Sequence, residues 1–273
     1  MRGFNVFIAL LVGMALTIST KAAAAPAFDR LVVFGDSLSD NGNAGRFSNG
    51  PVWVEHLAER LALALEPARI GGGNFAVGGA RLDPRSGIYS LRAQADLFFG
   101  MPQPNGRTLH IVFGGGNDLL AAVGSSDARA MVDAAVMSLK SILADLVARG
   151  ATDILVPNLP DVGMTPAMRA RGSGAMVEAA HLTDRFNAAV ERALTDIAAA
   201  PDLRLYRLDL HALAERARSD PATFGFVDVT TPCNGLASCE GHLFWDDIHP
   251  TTEAHCRLAE AALRMLKGEG LLP

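Results

Sequence analysis

The sequence predicts an α/β fold, a parallel β-sheet with helices on both faces. Three observations predict it. Short, nearly continuous apolar runs recur at 31–35, 109–113, 153–157 and 203–208, the composition of strands buried on both sides. Between the later runs lie segments whose apolar residues step by threes and fours, the period of an amphipathic helix. Polar, glycine-rich stretches follow the strand ends, which is where open α/β sheets bind their ligands.

The first two dozen residues stand apart from this pattern. Arg2 gives a basic start, Phe4 to Ile18 is almost wholly apolar, and Ala22 and Ala24 form an Ala-x-Ala arrangement before Pro26. The apolar run is shorter than the ~20 residues that span a bilayer, which favours a cleaved signal peptide over an anchor. Residues 1–24 are therefore expected to be removed. Residues 25–273 should form a single exported domain, periplasmic or secreted, with no membrane anchor. Some 250 residues suffice for one substantial core.

In the mature chain, LVVF at 31–34 reads as the first strand and GDSLSDNGN at 35–43 as a tight polar loop at its end. Within 127–149, Met131, Ala135, Leu139, Ile142 and Leu146 define a helix stopped by Gly150; within 175–200, Leu182, Phe186, Val190, Leu194 and Ile197 define another, stopped by Pro201. A last helix covers roughly 252–267. A net charge of −5 and a pI near 5.8 give no electrostatic case for nucleic acid or an anionic membrane surface. Cys233 and Cys239 flank the short loop PCNGLASC and could pair, whereas Cys256 sits in a helical pattern and is expected to be buried and free. Three scattered cysteines do not make a zinc site.

Four stretches carry chemistry: GDS at 35–37, NFAVGGA at 74–80, GGGNDL at 114–119 and FWDDIHPT at 244–251. Acyl transfer by serine needs a hydroxyl, a base, an orienter for the base, and donors for the developing oxyanion. Ser37 can supply the hydroxyl, although Ser37 or Ser39 could equally cap a helix after an ordinary turn. His249 can supply the base. Asp246, three residues earlier, can hold the imidazole, while adjacent Asp247 is the rival and tends to point away. Gly79 and the Ser37 loop offer backbone N–H groups for an oxyanion, and Asn117 offers a side-chain amide. Ser39 is expected to be dispensable. No dinucleotide fingerprint is present, since GGGND lacks the third glycine at the right step.

Taken in order, these four blocks resemble those of the GDSL, or SGNH, hydrolases. SNGPVW at 48–53 and FGFVDVTTPC at 224–233 are similar to the exported, lipase- and lysophospholipase-like bacterial branch. The resemblance implies a flavodoxin-like three-layer α/β/α sandwich with about five parallel strands. It implies Ser37 as nucleophile, Asp246 and His249 as its triad partners, Gly79 and Asn117 as oxyanion donors, and no metal or cofactor. Some such proteins carry a C-terminal membrane β-barrel; this chain, ending soon after its last helix, reads as a free exported enzyme. The expected substrate is a small-molecule or lipid acyl ester. An acetyl ester of a polysaccharide, or transfer of the acyl group to an alcohol, are the alternatives.

Overall fold

A computed structural model describes residues 27–271 except Ile88, Gln103 and Pro104. The signal segment read at 1–24 lies outside the described residues. Strands β1 (Arg30–Gly35), β2 (Thr108–Phe113), β3 (Asp153–Pro157) and β4 (Arg204–Leu208) form a parallel sheet in that order. The register pairs Leu31 with Leu109, Leu109 with Asp153, and Asp153 with Arg204. Consecutive residues Leu31 to Phe34 are all buried, as a strand covered on both faces requires.

Four regular strands stand where about five were expected. The fifth is present in a weaker form. Residues 73–77 run beside β1 on its free edge: Val33 N donates to Gly73 O (2.9 Å), Phe75 N to Val33 O (2.8 Å) and Val77 N to Gly35 O (3.1 Å). Only an isolated bridge between Val33 and Asn74 is regular there. Asn74 explains why. Its buried side chain donates to Ser39 O (2.7 Å) and accepts from Ala76 N (3.0 Å), bonds that belong to a turn rather than a ladder.

Helices α1 (Trp53–Arg60), α2 (Leu91–Phe99), α3 (Gly116–Ala122), α4 (Ala128–Ala148), α5 (Pro166–Ala170), α6 (Ser173–Ile197), α7 (Leu210–Ser219) and α8 (Thr252–Gly268) clothe the sheet. Helix α1 packs on α8, and α4 packs on α2, α3 and α6. The helical periods read from the sequence are those of α4, α6 and α8. In α8 the fully buried residues include Ala259 and Ala262, small side chains on a helix that packs against α1. A parallel ribbon of β5 (Asp228–Pro232) and β6 (His242–Phe244) precedes α8. Its connection holds a disulfide between Cys233 and Cys239, with Cα atoms 5.1 Å apart. Cys256 is free but only half-buried, with Arg60 Nη2 3.3 Å from its sulfur. The expectation of a buried thiol fails because that stretch of α8 borders charged Arg60 and Glu260 rather than core.

The two ends of the sheet differ in chemistry. At the N-terminal end, fully buried Asp153 accepts bonds from Arg107 (2.8 and 3.0 Å), Arg204 (2.7 and 2.9 Å), Tyr206 Oη (2.7 Å) and Thr152 Oγ1 (2.9 Å). Burial acts to raise this carboxyl, but Arg204, Arg107, Tyr206 and Thr152 outweigh it and hold it well below its ordinary value. The polar loops gather at the opposite end.

Candidate active site

β1 ends in a turn that leaves little freedom. Gly35 N and O are both gripped by Gln94, at 2.9 and 2.8 Å, and a Cβ on Gly35 would stand 3.0 Å from Phe113 O. The carbonyl of Asp36 accepts from Ser39 N and Asp40 N, both at 3.0 Å, while its carboxylate accepts from Leu38 N at 3.0 Å. Ser37 sits at the crest of this turn. Asp40, fully buried, accepts from Gly42 N, Asn43 N, Ala44 N and, across the loop, Gly78 N (2.8 Å). One carboxylate thus joins the serine loop to the NFAVGGA loop. Ser39, expected to be dispensable for the chemistry, has a structural role: it is fully buried and its Oγ accepts from Trp53 Nε1 at 3.0 Å. It anchors the turn on α1.

The second half of the site comes from the turn before α8. Trp245 N donates to His249 O at 2.8 Å, closing the turn. Asp246 Oδ1 accepts from Ile248 N (2.8 Å) and His249 N (2.6 Å), and the carboxylate faces His249 Nδ1 at 2.8 and 2.9 Å. Burial acts to raise the Asp246 carboxyl, but the bonds from His249 and Ile248 prevail and hold it below its ordinary value. An ionised carboxylate only accepts, so Nδ1 carries a proton, and in the neutral imidazole Nε2 is then the nitrogen with the free lone pair. That nitrogen lies 2.9 Å from Ser37 Oγ. The hydroxyl can therefore pass its proton to the imidazole as it attacks a carbonyl. Asp247 has no side-chain bond among the described residues; only its carbonyl is used, accepting from Ala167 N at 2.9 Å.

SNGPVW explains how this turn is held against the serine. Ser48 Oγ donates to Pro250 O (2.9 Å), Asn49 Oδ1 accepts from Thr252 N (2.8 Å), and Thr252 Oγ1 donates to Pro51 O (2.8 Å). The ring of Phe47 lies 5.3 Å from that of His249 and packs over Gly78, where any Cβ would stand 2.2 Å from it. Cys233 N donates to Phe244 O (3.1 Å) and Asn234 N to Trp245 O (2.8 Å), so the disulfide loop is fastened to the residues just before Asp246.

The backbone N–H groups of Ser37 and Gly79 have no acceptor among the described residues. Gly79 has φ +75°, a conformation in which a side chain would be strained. Asn117 donates one amide hydrogen to Ala80 O at 2.9 Å, leaving its second, and lines the same cleft as Ser37. Asp118 beside it accepts from Leu82 N (2.9 Å) and Asp83 N (3.2 Å), tying the GGGND turn to the loop after Gly79. Asp36 is buried with no salt bridge among the described residues. Burial pushes its carboxyl up to about 6, against the Leu38 bond and the nearby imidazole. An apolar cleft opens beside Ser37, walled by Phe113, Leu120, Leu159, Leu213 and Phe226 among others.

Sequence reasoning missed Asp40, Gln94, Phe47 and Asp118 as organisers of the site. Asp40 alone had a visible signal, an acidic residue before Asn-Gly-Asn, as in a turn closed on its own backbone. No helix among the described residues is long and apolar enough to cross a membrane.

Comparison with known proteins bears on this geometry. A phosphatidylcholine-sterol acyltransferase from Aeromonas hydrophila is 29% identical over 96% of this chain and 97% of its own length. Lipase 1 of Photorhabdus luminescens is 34% identical over 56% of this chain, which spans only 25% of that protein. A solved acetylxylan esterase from Geobacillus stearothermophilus shares the fold, with a TM-score of 0.52 and 15% identity, over 87% of this chain and 94% of its own. The family described as GDSL-like Lipase/Acylhydrolase matches residues 31–262. That span runs from the serine loop through the histidine turn into α8, and on it the chain belongs to the GDSL-like lipase/acylhydrolase family, as a carboxylic ester hydrolase.

Proposed function

We propose that this protein is an exported hydrolase of lipid-type acyl esters, working through an acyl intermediate on Ser37. His249 takes the serine proton and returns it to the leaving alcohol, then activates water for deacylation. Asp246 holds the imidazole and stabilises its protonated form. The oxyanion is received by the N–H groups of Ser37 and Gly79 and by the Asn117 amide, each such donor being worth roughly 2.7–4 kcal/mol of barrier. The observation that carries this reading is the chain of contacts from Asp246 through His249 to Ser37 Oγ, 2.8 and 2.9 Å, beside an apolar cleft. A lipid-type ester suits that wall better than an acetylated sugar, which needs polar partners.

Export of residues 25–273 after loss of 1–24 rests on the apolar leader with its Ala-x-Ala site, and the Cys233–Cys239 bond fits an oxidising compartment. A second reading keeps the acyl-enzyme but delivers the acyl group to an alcohol. The Aeromonas acyltransferase, similar over nearly the whole of both chains, favours it. One experiment tests the chemistry. A fluorophosphonate should label Ser37 alone, and Ser37→Ala should lose hydrolysis by at least about 10⁴-fold while keeping its thermal midpoint. Residual activity near wild type would sink the mechanism. Product analysis with a sterol acceptor present separates hydrolysis from transfer.

A further inference from the structure

The apolar cleft beside Ser37 has two ends of different character. Ser37 and Asn117 stand at one. Leu213, Phe224 and Arg257 also line a second hollow, one bordered by charged Arg216, Glu260 and Arg264, so they form the partition between the two spaces. The partition is fastened: Arg257 Nε donates to Phe224 O at 3.1 Å, and its guanidinium faces Glu260 and Glu253 at 3.3 and 3.6 Å.

The cleft also separates two apolar clusters. Leu159, Leu210 and Leu213 on its walls belong to the main core, whereas Ala217, Phe226 and Ala254 form a small separate cluster. A gap between two apolar bodies gains most from an apolar guest. Its position relative to the base gives the guest an orientation. Ile248 and Pro250 touch the cleft, but the imidazole of His249 does not line it. A leaving alkoxide must take its proton from His249 Nε2, so the alcohol portion belongs on the imidazole side and the other portion of the ester extends into the cleft.

We propose that this cleft holds the acyl chain, and that Leu213, Phe224 and Arg257 set the longest chain the enzyme accepts. The inference rests on the acyl-Ser37 reading and deepens it. Each methylene placed between the two clusters raises kcat/KM by up to about fourfold, the equivalent of ~0.8 kcal/mol per buried CH₂. A chain that reaches the partition meets a paired guanidinium instead of hydrocarbon, and the gain stops there.

The test is a series of p-nitrophenyl esters from acetyl to hexadecanoyl, compared as ratios of kcat/KM to the acetyl ester. In wild type the ratio should climb with chain length and then break. Leu213→Trp, which fills the far half of the cleft, should lower the dodecanoyl ratio at least tenfold and move the break to shorter chains. Phe224→Ala, at a half-buried position that tolerates truncation, should move it to longer ones. A second measurement does not depend on catalysis: dodecanoate binding by calorimetry to Ser37→Ala, and to Ser37→Ala carrying Leu213→Trp, where affinity should fall at least tenfold. A break that stays put in both variants, ratios that change in parallel at all lengths, or dodecanoate binding indifferent to Leu213→Trp would each overturn the assignment. Should Ser37→Ala hydrolyse normally, the reaction reading fails, and the calorimetric pair still decides the cleft.

Discussion

Asp153 and Asp36 are both buried, at opposite ends of the same parallel sheet, and the fold treats them in opposite ways. Asp153, at the start of β3, is surrounded by two guanidiniums and two hydroxyls and held well below its ordinary pKa. Asp36, just past the end of β1, has one backbone donor to its carboxylate and no salt bridge among the described residues, and burial lifts it to about 6. One end is a satisfied network that favours folding. The other keeps groups partly unsatisfied where a substrate must arrive, a local loss of stability typical of sites built for chemistry. On this sheet the buried carboxylate far from Ser37 is paired with guanidiniums, whereas the one beside Ser37 has no cation bonded to it.

Several substitutions sharpen or break that contrast. The largest effect belongs to the histidine turn. Asp246→Asn should lower kcat by about 10⁴-fold by misorienting the imidazole, with little change in stability, whereas Asp247→Asn should stay close to wild type. Steady-state kinetics on one ester decides it, and equal losses at the two positions would mean that both carboxylates serve the base.

Next in size is the scaffold end. Asp153→Asn leaves Arg107 and Arg204 facing a neutral group, at a cost of about 3–4 kcal/mol by analogy with broken buried pairs. Its kcat/KM should hardly change. Because the Asp153 carboxyl is depressed, its contribution is present above the unfolded carboxylate range and disappears only in strong acid. Urea unfolding of the variant at neutral pH checks this, and a large loss of activity with unchanged stability would reverse the roles given to the two ends.

Asp36 should behave with the opposite sign. Its folded pKa is raised, so the ionised form opposes folding above about 6, and stability recovers as pH falls from there towards the ordinary 3.8. Asp36→Asn, which can still accept from Leu38 N, should therefore stabilise the protein at pH 8 by up to about 3 kcal/mol, at ~1.4 kcal/mol per pKa unit. The advantage should vanish near pH 4. Unfolding curves at the two pH values test it; a variant destabilised at both would show that the carboxylate is held by partners and is not the lone buried charge described here.

The smallest effect is at the disulfide. Replacing Cys233 and Cys239 by serine should cost about 2 kcal/mol in the chain-entropy account of so short a loop. The thermal midpoint and activity should fall together, because the loop is bonded to Phe244 and Trp245 directly before Asp246. Loss of stability with full activity would detach this loop from the base.

The sequence made the polar turns legible and left their supports hidden. Gly-Asp-Ser, Asn-Asp and Asp-Asp-Ile-His are short, chemically distinctive and placed at strand ends, so their composition announces them. The four ladder strands and helices α4, α6 and α8 were equally readable, because apolar periodicity follows directly from burial. Gln94 left no trace, and Asp118 showed only as part of Asn-Asp and not as a support, since a side chain that bonds to a backbone some 59 or 36 positions away creates no local pattern. The edge segment at 73–77 escaped as a fifth strand because Asn74 exchanges ladder bonds for turn bonds. The cleft was invisible for a different reason: Leu210, Leu213 and Ala217 have the helical spacing of core residues, and nothing in periodicity separates a wall from a filled interior.

Ser37 and His249 meet across 212 positions of chain, and that separation has a consequence in time. The hydroxyl is synthesised well before the imidazole, and α8 must dock on α1 before Thr252 can bond to Asn49 and Pro51. Closing so long a loop is a late event in folding. Until it happens the chain carries a serine with no base, chemically as inert as any other alcohol. An ester hydrolase assembled in this way has no triad to act with until that helix is seated.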